Sequence, residues 1–306
     1  MRKLTIAVLL LCNIAYGQTI YDQFNKAINN DDTVQMTTLI RQIQASGDES
    51  ADRYIAEFNY YYNMSKKEVV ELSTELPEGN YSSDNMFTLT DSTGKPAGYM
   101  YSHTHYDPAR SDSAIAIINK GIAAHPNRLD MRFGKIFALG AYSRWDAYTD
   151  EIMNVLNYTE KHPNSWVYPD TKDPIDTIII YGILDYERDL FGQCELTEAS
   201  RDKDAVILGQ VREIALKTSQ IYPKDIYSLN VVAVTYNGVG DYANAIVWLR
   251  KAEQIAPKDV IVLSNLADTY HNMGDYANEK KCLKKILKYG DEDAKAYAKY
   301  YLKQLP

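Results

Sequence analysis

Near the C-terminus the chain says nearly the same thing twice. Ile-Tyr-Pro-Lys-Asp at 221–225 returns as Ile-Ala-Pro-Lys-Asp at 255–259, and Gly-Asp-Tyr-Ala-Asn at 240–244 returns unchanged at 274–278. Both pairs lie 34 residues apart. A constant period marked by glycine, proline and small residues predicts a stack of like units, none of which can bury its apolar face alone.

Within each unit the apolar spacing is helical. Leu229, Val232, Ala233 and Tyr236 share one face of a first helix, and Ala245, Leu249 and Ala252 one face of a second, which Pro257 stops. Small residues let two helices approach, and large ones fill the groove between them. The next unit repeats this with Leu263, Leu266, Ala267 and Tyr270, then Leu283 and Ile286. Residues 293–305 read as a capping helix with one face turned to solvent.

This stretch resembles the tetratricopeptide repeat family, with its best-matching repeats at 226–259 and 260–293. It departs from the family pattern at Glu279, where Ala is expected, and at Asp291, where Pro is expected. Upstream, Ala114, Ile118, Gly121 and Pro126 fit a second helix of the same pattern. The resemblance implies an all-α fold, an α-α superhelix of helix pairs over 18–306. It also implies a concave face, lined by first helices, that binds a protein or peptide. The residues so placed are Tyr227, Asn230, Val234 and Asn237 from one repeat, and Ile261, Ser264, Asp268 and His271 from the next. None is Lys or Arg, so the carboxylate clamp of some family members is not expected here.

The chain opens with Arg2 and Lys3, an apolar run from Leu4 to Ile14, and a small-residue exit at Ala15-Tyr16-Gly17, which reads as a signal peptide over 1–17. That predicts an exported protein, periplasmic or secreted, with lipid anchoring at Cys12 as the alternative. No later apolar run approaches the length of a membrane span. A net charge of −8 argues against general nucleic-acid binding, which needs a basic surface. After cleavage two cysteines remain, Cys194 and Cys282, open to one bridge or to two buried thiols.

Taken in order, helices are expected over 20–46 (as a pair), 50–64, 66–75, 112–124, 129–142, 146–159, 176–191 and 204–220, with Pro77 and Gly79 ending the one at 66–75. Between them, 86–91 and 97–105 alternate as strands around the loop Ser92-Thr93-Gly94-Lys95-Pro96, giving a β-hairpin inserted at 86–105. Period two puts Tyr99, Tyr101, His103 and His105 on one face. A second functional reading follows: a glycan-binding or metal-dependent envelope protein acting through this hairpin, with His103, His105 and Asp107 as the ligand types.

Gly238-x-Gly240-x-x-Ala243 matches a dinucleotide fingerprint on paper, but it follows a helical segment rather than a strand, so it reads as the turn between two helices. Residues 279–306 hold eight lysines against four acids, a basic end on an acidic chain. Metalloprotease, hydrolase-elbow and phosphate-loop motifs are absent, so no enzyme activity, catalytic residue, metal or cofactor is expected.

Overall fold

A computed structural model describes residues 19–76, 86–169 and 171–306. The expected signal peptide, Cys12 and the Pro77 and Gly79 stop signals lie outside these residues. The chain divides into two units, one of residues up to Ser143 with Val167–Asp170, the other of Arg144–Trp166 with Thr171–Pro306.

The first unit begins with α1 (Ile20–Asn29) and α2 (Thr33–Ala45). Thr19 and Asp22 form a capping box that satisfies donors at the start of α1. Phe24, Ala27 and Ile28 then pack with Met36, Leu39, Ile40 and Ile43, all buried. The helix α3 (Ala51–Ser65) lies against α4 (Pro108–Ala124), sharing a core of Ile55, Phe58, Tyr62, Ala114 and Ile118, and α5 (Leu129–Ala141) adds Met131 and Ala138. Gly121 of α4 faces Tyr54 of α3 and Met131 of α5 with no room for a Cβ.

Between α3 and α4, where a tight turn would ordinarily join two paired helices, the chain makes a three-stranded antiparallel sheet. Its strands are β1 (Lys66–Ser73), β2 (Met86–Thr90) and β3 (Pro96–Tyr106), in the order β1-β3-β2. Asp107 N–H donates to the Ser65 carbonyl at 2.8 Å, closing the base of the insert. The β2–β3 loop turns on Asp91, whose carboxylate accepts from the Thr93 and Lys95 amides, and on Gly94 at φ +81°.

The hairpin expected at 86–105 is present, but the helix expected at 66–75 is not: that segment is β1. Its lysines, glutamates and leucine favour a helix, yet pairing with β3 from Lys66↔Tyr106 to Ser73↔Tyr99 overrides that local preference. Ser65 ends α3 and Lys66 already has extended backbone (φ −70°, ψ 136°), so no turn residue marks the boundary.

The second unit holds α6 (Trp145–Lys161), α7 (Ile175–Phe191), α8 (Arg201–Ile221), α9 (Ile226–Gly238), α10 (Tyr242–Ile255), α11 (Val260–Asn272), α12 (Tyr276–Tyr289) and α13 (Glu292–Gln304). The 34-residue period is a period of caps. Asp225 and Asp259 cap α9 and α11, while Asp241 and Asp275 cap α10 and α12, each accepting a backbone N–H from the first helical turn. Gly240 (φ +78°) and Gly274 (φ +72°) hold the left-handed turns between paired helices. The glycine-rich stretch at 238–243 therefore joins two helices and lacks the strand a dinucleotide site requires.

Leu229, Ala233, Leu249, Ala252, Leu263, Leu266, Leu283 and Ile286 form one buried core through α9–α12, closed at its end by Ala298 of α13. The two departures from the repeat pattern have physical roles. Glu279 is buried with its carboxylate 3.1 Å from His271 Nδ1, and Asp291 caps α13. Cys194 and Cys282 are both free thiols.

Among the described residues several buried polar atoms lack a hydrogen-bond partner, and one of them belongs to a carboxyl group. Glu187 of α7 is 2 % exposed, and its Oε1 has no hydrogen-bond partner. Burial, reinforced by the charge of Asp225, pushes its carboxyl well above the ordinary 4.5. The folded state thus favours the protonated acid, so this contribution to stability is fully present below about pH 4.5 and is lost as pH rises toward the folded value. Glu187→Met, which removes the polar atoms at similar volume, should stabilise the chain at neutral pH by about 1–2 kcal/mol. In thermal melts the gain should widen from about pH 5 to about pH 8; a pH-independent gain would refute the assignment.

Candidate functional site

The repeat geometry places α9 and α11 side by side as first helices, with α7 before them and α13 after. Polar side chains tie each to the next. Asn265 Nδ2 donates to Asn230 Oδ1 at 2.9 Å, and Asn237 Nδ2 donates to Thr269 Oγ1 at 2.8 Å, joining α9 to α11 at two heights. Tyr297 Oη of α13 donates to Asp268 at 2.5 Å, and burial together with that carboxylate pushes the phenol far above its usual range. At the α7 side, the Tyr181 and Tyr227 rings stand 6.0 Å apart.

The eight side chains placed on the expected binding face therefore divide. Asn230, Asn237 and Asp268 are used in contacts between helices, which fixes the spacing of the surface. Asn237 Oδ1 is buried and has no partner. Tyr227 is exposed beside Tyr181, while Val234 and Ser264 are half-buried. Ile261, at the position of Tyr227 one repeat later, is also exposed. His271 is turned to the second helix, meeting Glu279 and the edge of the Tyr276 ring at 5.9 Å. Sequence reasoning missed Asn265, Thr269, Tyr297 and Tyr181. The signal for the first three is polar or aromatic character on first-helix faces about one period from an expected residue, whereas Tyr181 lies 46 residues before Tyr227 and carries no such signal.

Further cross-links stiffen the second helices. Glu253 of α10 receives Lys285 of α12 at 2.6 Å and also pairs with Arg250, which donates to Tyr270 Oη at 2.9 Å. Burial alone would raise the Glu253 carboxyl, but these two cations hold it below the usual range. Burial pushes the Cys282 thiol up to about 11, which disfavours a reactive thiolate.

On the inserted sheet, Tyr99, Tyr101, His103 and His105 share a face as period two requires. Tyr101 Oη donates to Glu71 at 2.8 Å, and His103 Nε2 lies 3.8 Å from the same carboxylate. Asp107 does not extend this row. It caps α4, accepting from the Arg110 amide at 3.1 Å, and pairs with Lys67 at 3.3 Å. The Arg110 amide and Lys67 hold its carboxyl low. Among the described residues no group of three or more His, Cys, Asp or Glu side chains is arranged to hold a metal ion. No helix among them is long and apolar enough to cross a membrane.

Residues 226–259 and 262–289 match the tetratricopeptide repeat family. No curated protein matches the chain. Among solved structures, a tetratricopeptide protein of Thermus thermophilus is similar over 63 % of this chain and 91 % of its own, at 14 % identity and a TM-score of 0.40. Pseudomonas aeruginosa pilF is similar over 64 % of this chain and 85 % of its own, at 13 % identity and a TM-score of 0.37. A tetratricopeptide repeat protein from Parabacteroides merdae is similar over 93 % of this chain and 96 % of its own, at 10 % identity and a TM-score of 0.29. The part of the chain that follows Asp225 thus carries two repeats of the tetratricopeptide type.

Proposed function

We propose that this protein is a non-enzymatic scaffold that binds a protein or peptide along the first-helix surface of α7, α9 and α11. The observation that carries the reading is the contrast within that surface: amides at its base are spent on fixing helix spacing, while Tyr181, Tyr227 and Ile261 stay exposed above them. Rigid aromatic and aliphatic anchors on a preorganised base are what a partner-binding surface needs, since little entropy is lost on binding. Without Lys or Arg among the expected contacts, recognition rests on apolar and neutral polar groups. We further propose export directed by residues 1–17, which intact-mass measurement of the chain from culture would test by a start at Gln18.

The binding test is a photo-cross-linking amino acid placed at position 261 in the native compartment, with and without Tyr181→Ala and Tyr227→Ala. A discrete adduct that the double variant reduces by at least about tenfold is expected, since truncating two aromatic anchors removes roughly 1.4 kcal/mol or more. An adduct indifferent to both tyrosines, or one that disappears when residues 86–105 are deleted instead, would move the function to the inserted sheet.

A further inference from the structure

The lysines near the C-terminus become a surface once each is traced to its place on a helix. On α12 the buried stripe is Glu279, Cys282, Leu283 and Ile286. At about 100° per residue the opposite arc holds Lys280, Lys281, Lys284 and Lys288, all exposed, within about 12 Å of helix length. Lys285, at the edge of that arc, reaches Glu253 of α10 at 2.6 Å and ties the two helices side by side. Lys258 joins the same surface, since its ammonium and that of Lys288 lie 5.7 and 5.1 Å from the centre of one ring, Tyr289. Lys251 stands on the exposed side of α10, over the Trp248 ring at 3.7 Å.

The acids that would neutralise these lysines are used elsewhere. Asp259, Asp275 and Asp291 cap helices. Asp268 accepts from Tyr297, Glu279 is buried against His271, Glu292 pairs with Lys295, and Glu253 is shared by Arg250 and Lys285. Among the described residues Lys251, Lys258, Lys280, Lys284 and Lys288 form no ion pair with a carboxylate. Lys280, Lys284 and Lys288 follow at four-residue intervals, so they repel one another along the helix until a counter-charge arrives.

The chemistry of the arc selects that counter-charge. No arginine follows Arg250. A fixed carboxylate or phosphate on a structured partner is gripped best by the rigid, bidentate arginine fork, whereas lysine is a point charge on a flexible stem. Lysines on the outward arcs of two neighbouring helices suit a plane of mobile anionic headgroups. Tyr289 and Trp248 lie among them, and such amphipathic rings favour the headgroup layer. The chain as a whole is at −8, which opposes approach to an anionic surface. At physiological salt, however, charges more than about 8 Å away are largely screened, so the lysines in contact decide the outcome.

We propose that the Lys280, Lys284 and Lys288 arc of α12, extended by Lys251 and Lys258, seats the protein on an anionic phospholipid surface. The contact is peripheral and electrostatic, each lysine near such a surface contributing about fivefold to affinity. Because the acidic remainder of the chain is repelled, the protein sits in one orientation. Tyr227 and Ile261, on α9 and α11, take no part in the contact.

The test is flotation of the full chain with vesicles of phosphatidylcholine alone and with rising fractions of phosphatidylglycerol. Binding is expected only where phosphatidylglycerol is present, and it should fall at least about tenfold between about 50 and about 500 mM salt. Lys280→Gln, Lys284→Gln and Lys288→Gln together should weaken it at least about thirtyfold, while arginine at the same three positions should keep it within about threefold. A control with the same loss of charge removes lysines that are already paired: Lys203→Gln, Lys217→Gln and Lys295→Gln together should cost less than about threefold. None of the six side chains is buried, and circular dichroism checks that each variant keeps its fold. No flotation with phosphatidylglycerol, equal losses in the two glutamine triples, or equal flotation on phosphatidylcholine alone overturns the proposal. Capture by poly-glutamate with none by the vesicles overturns it too, and would assign the arc to an acidic polypeptide.

Discussion

Leu263→Ala should destabilise the C-terminal repeats by about 3–5 kcal/mol. Leu263 is fully buried on α11, inside the cluster that also contains Leu249, Leu266, Leu283 and Ile286. The cost combines lost burial with a cavity that helices on both sides are poorly placed to fill. Ala233, Ala245, Ala252 and Ala267 line the same core, and their short side chains cannot reach into the cavity. In a repeat array each unit is held mainly by its neighbours, so the loss should remain local. Hydrogen exchange should show lowered protection across α9–α13, while α1–α5 keep theirs. A loss below about 1 kcal/mol, or one spread evenly over both units, would contradict a nearest-neighbour array.

The repeated phrases were legible because they perform local jobs. An Asp before a helix accepts its first amides, and a Gly after a helix takes a positive φ, so Asp225, Asp241, Asp259, Asp275, Gly240 and Gly274 announce the helix ends without knowledge of the fold. β1 was illegible for the opposite reason. Residues 66–73 are strand only because β3, some thirty residues later, supplies the pairing.

The first-helix surface was half legible. Family resemblance locates Asn230, Asn237 and Asp268, but not that each is spent on a neighbour: Asn265, Thr269 and Tyr297 lie 35, 32 and 29 residues away, offsets that scatter around the period. Tyr227 and Ile261 share the 34-residue spacing itself, and both stay exposed. The basic arc of α12 was legible as charge but not as unpaired charge, because that depends on where Glu253, Glu279 and Glu292 find their partners.

Two glycines put the helix-packing argument to its sharpest test, because the same substitution should act with opposite sign at each. Gly209 sits inside α8 with nothing within 4 Å of where a Cβ would stand. Gly209→Ala should therefore raise stability by about 0.5–1 kcal/mol, the backbone entropy that glycine costs a helix. A Cβ on Gly121 would stand 2.2 Å from Met131 Cε, 2.7 Å from Tyr54 Cβ and 3.0 Å from Tyr54 Cγ. The methionine tip can swing aside, but Tyr54 Cβ is fixed to the backbone of α3, so α3 and α4 must separate. Overpacking of this kind costs about 1–3 kcal/mol and occasionally more, enough to outweigh the helix-propensity gain of up to about 1 kcal/mol. Gly121→Ala should lower stability by about 2 kcal/mol, as measured by urea unfolding. Adding Met131→Ala should recover little of that loss, because the clash that counts is with α3. Full recovery in the double variant would place the constraint on Met131 and α5, and equal signs at Gly121 and Gly209 would mean that helix propensity, not close approach, governs both sites.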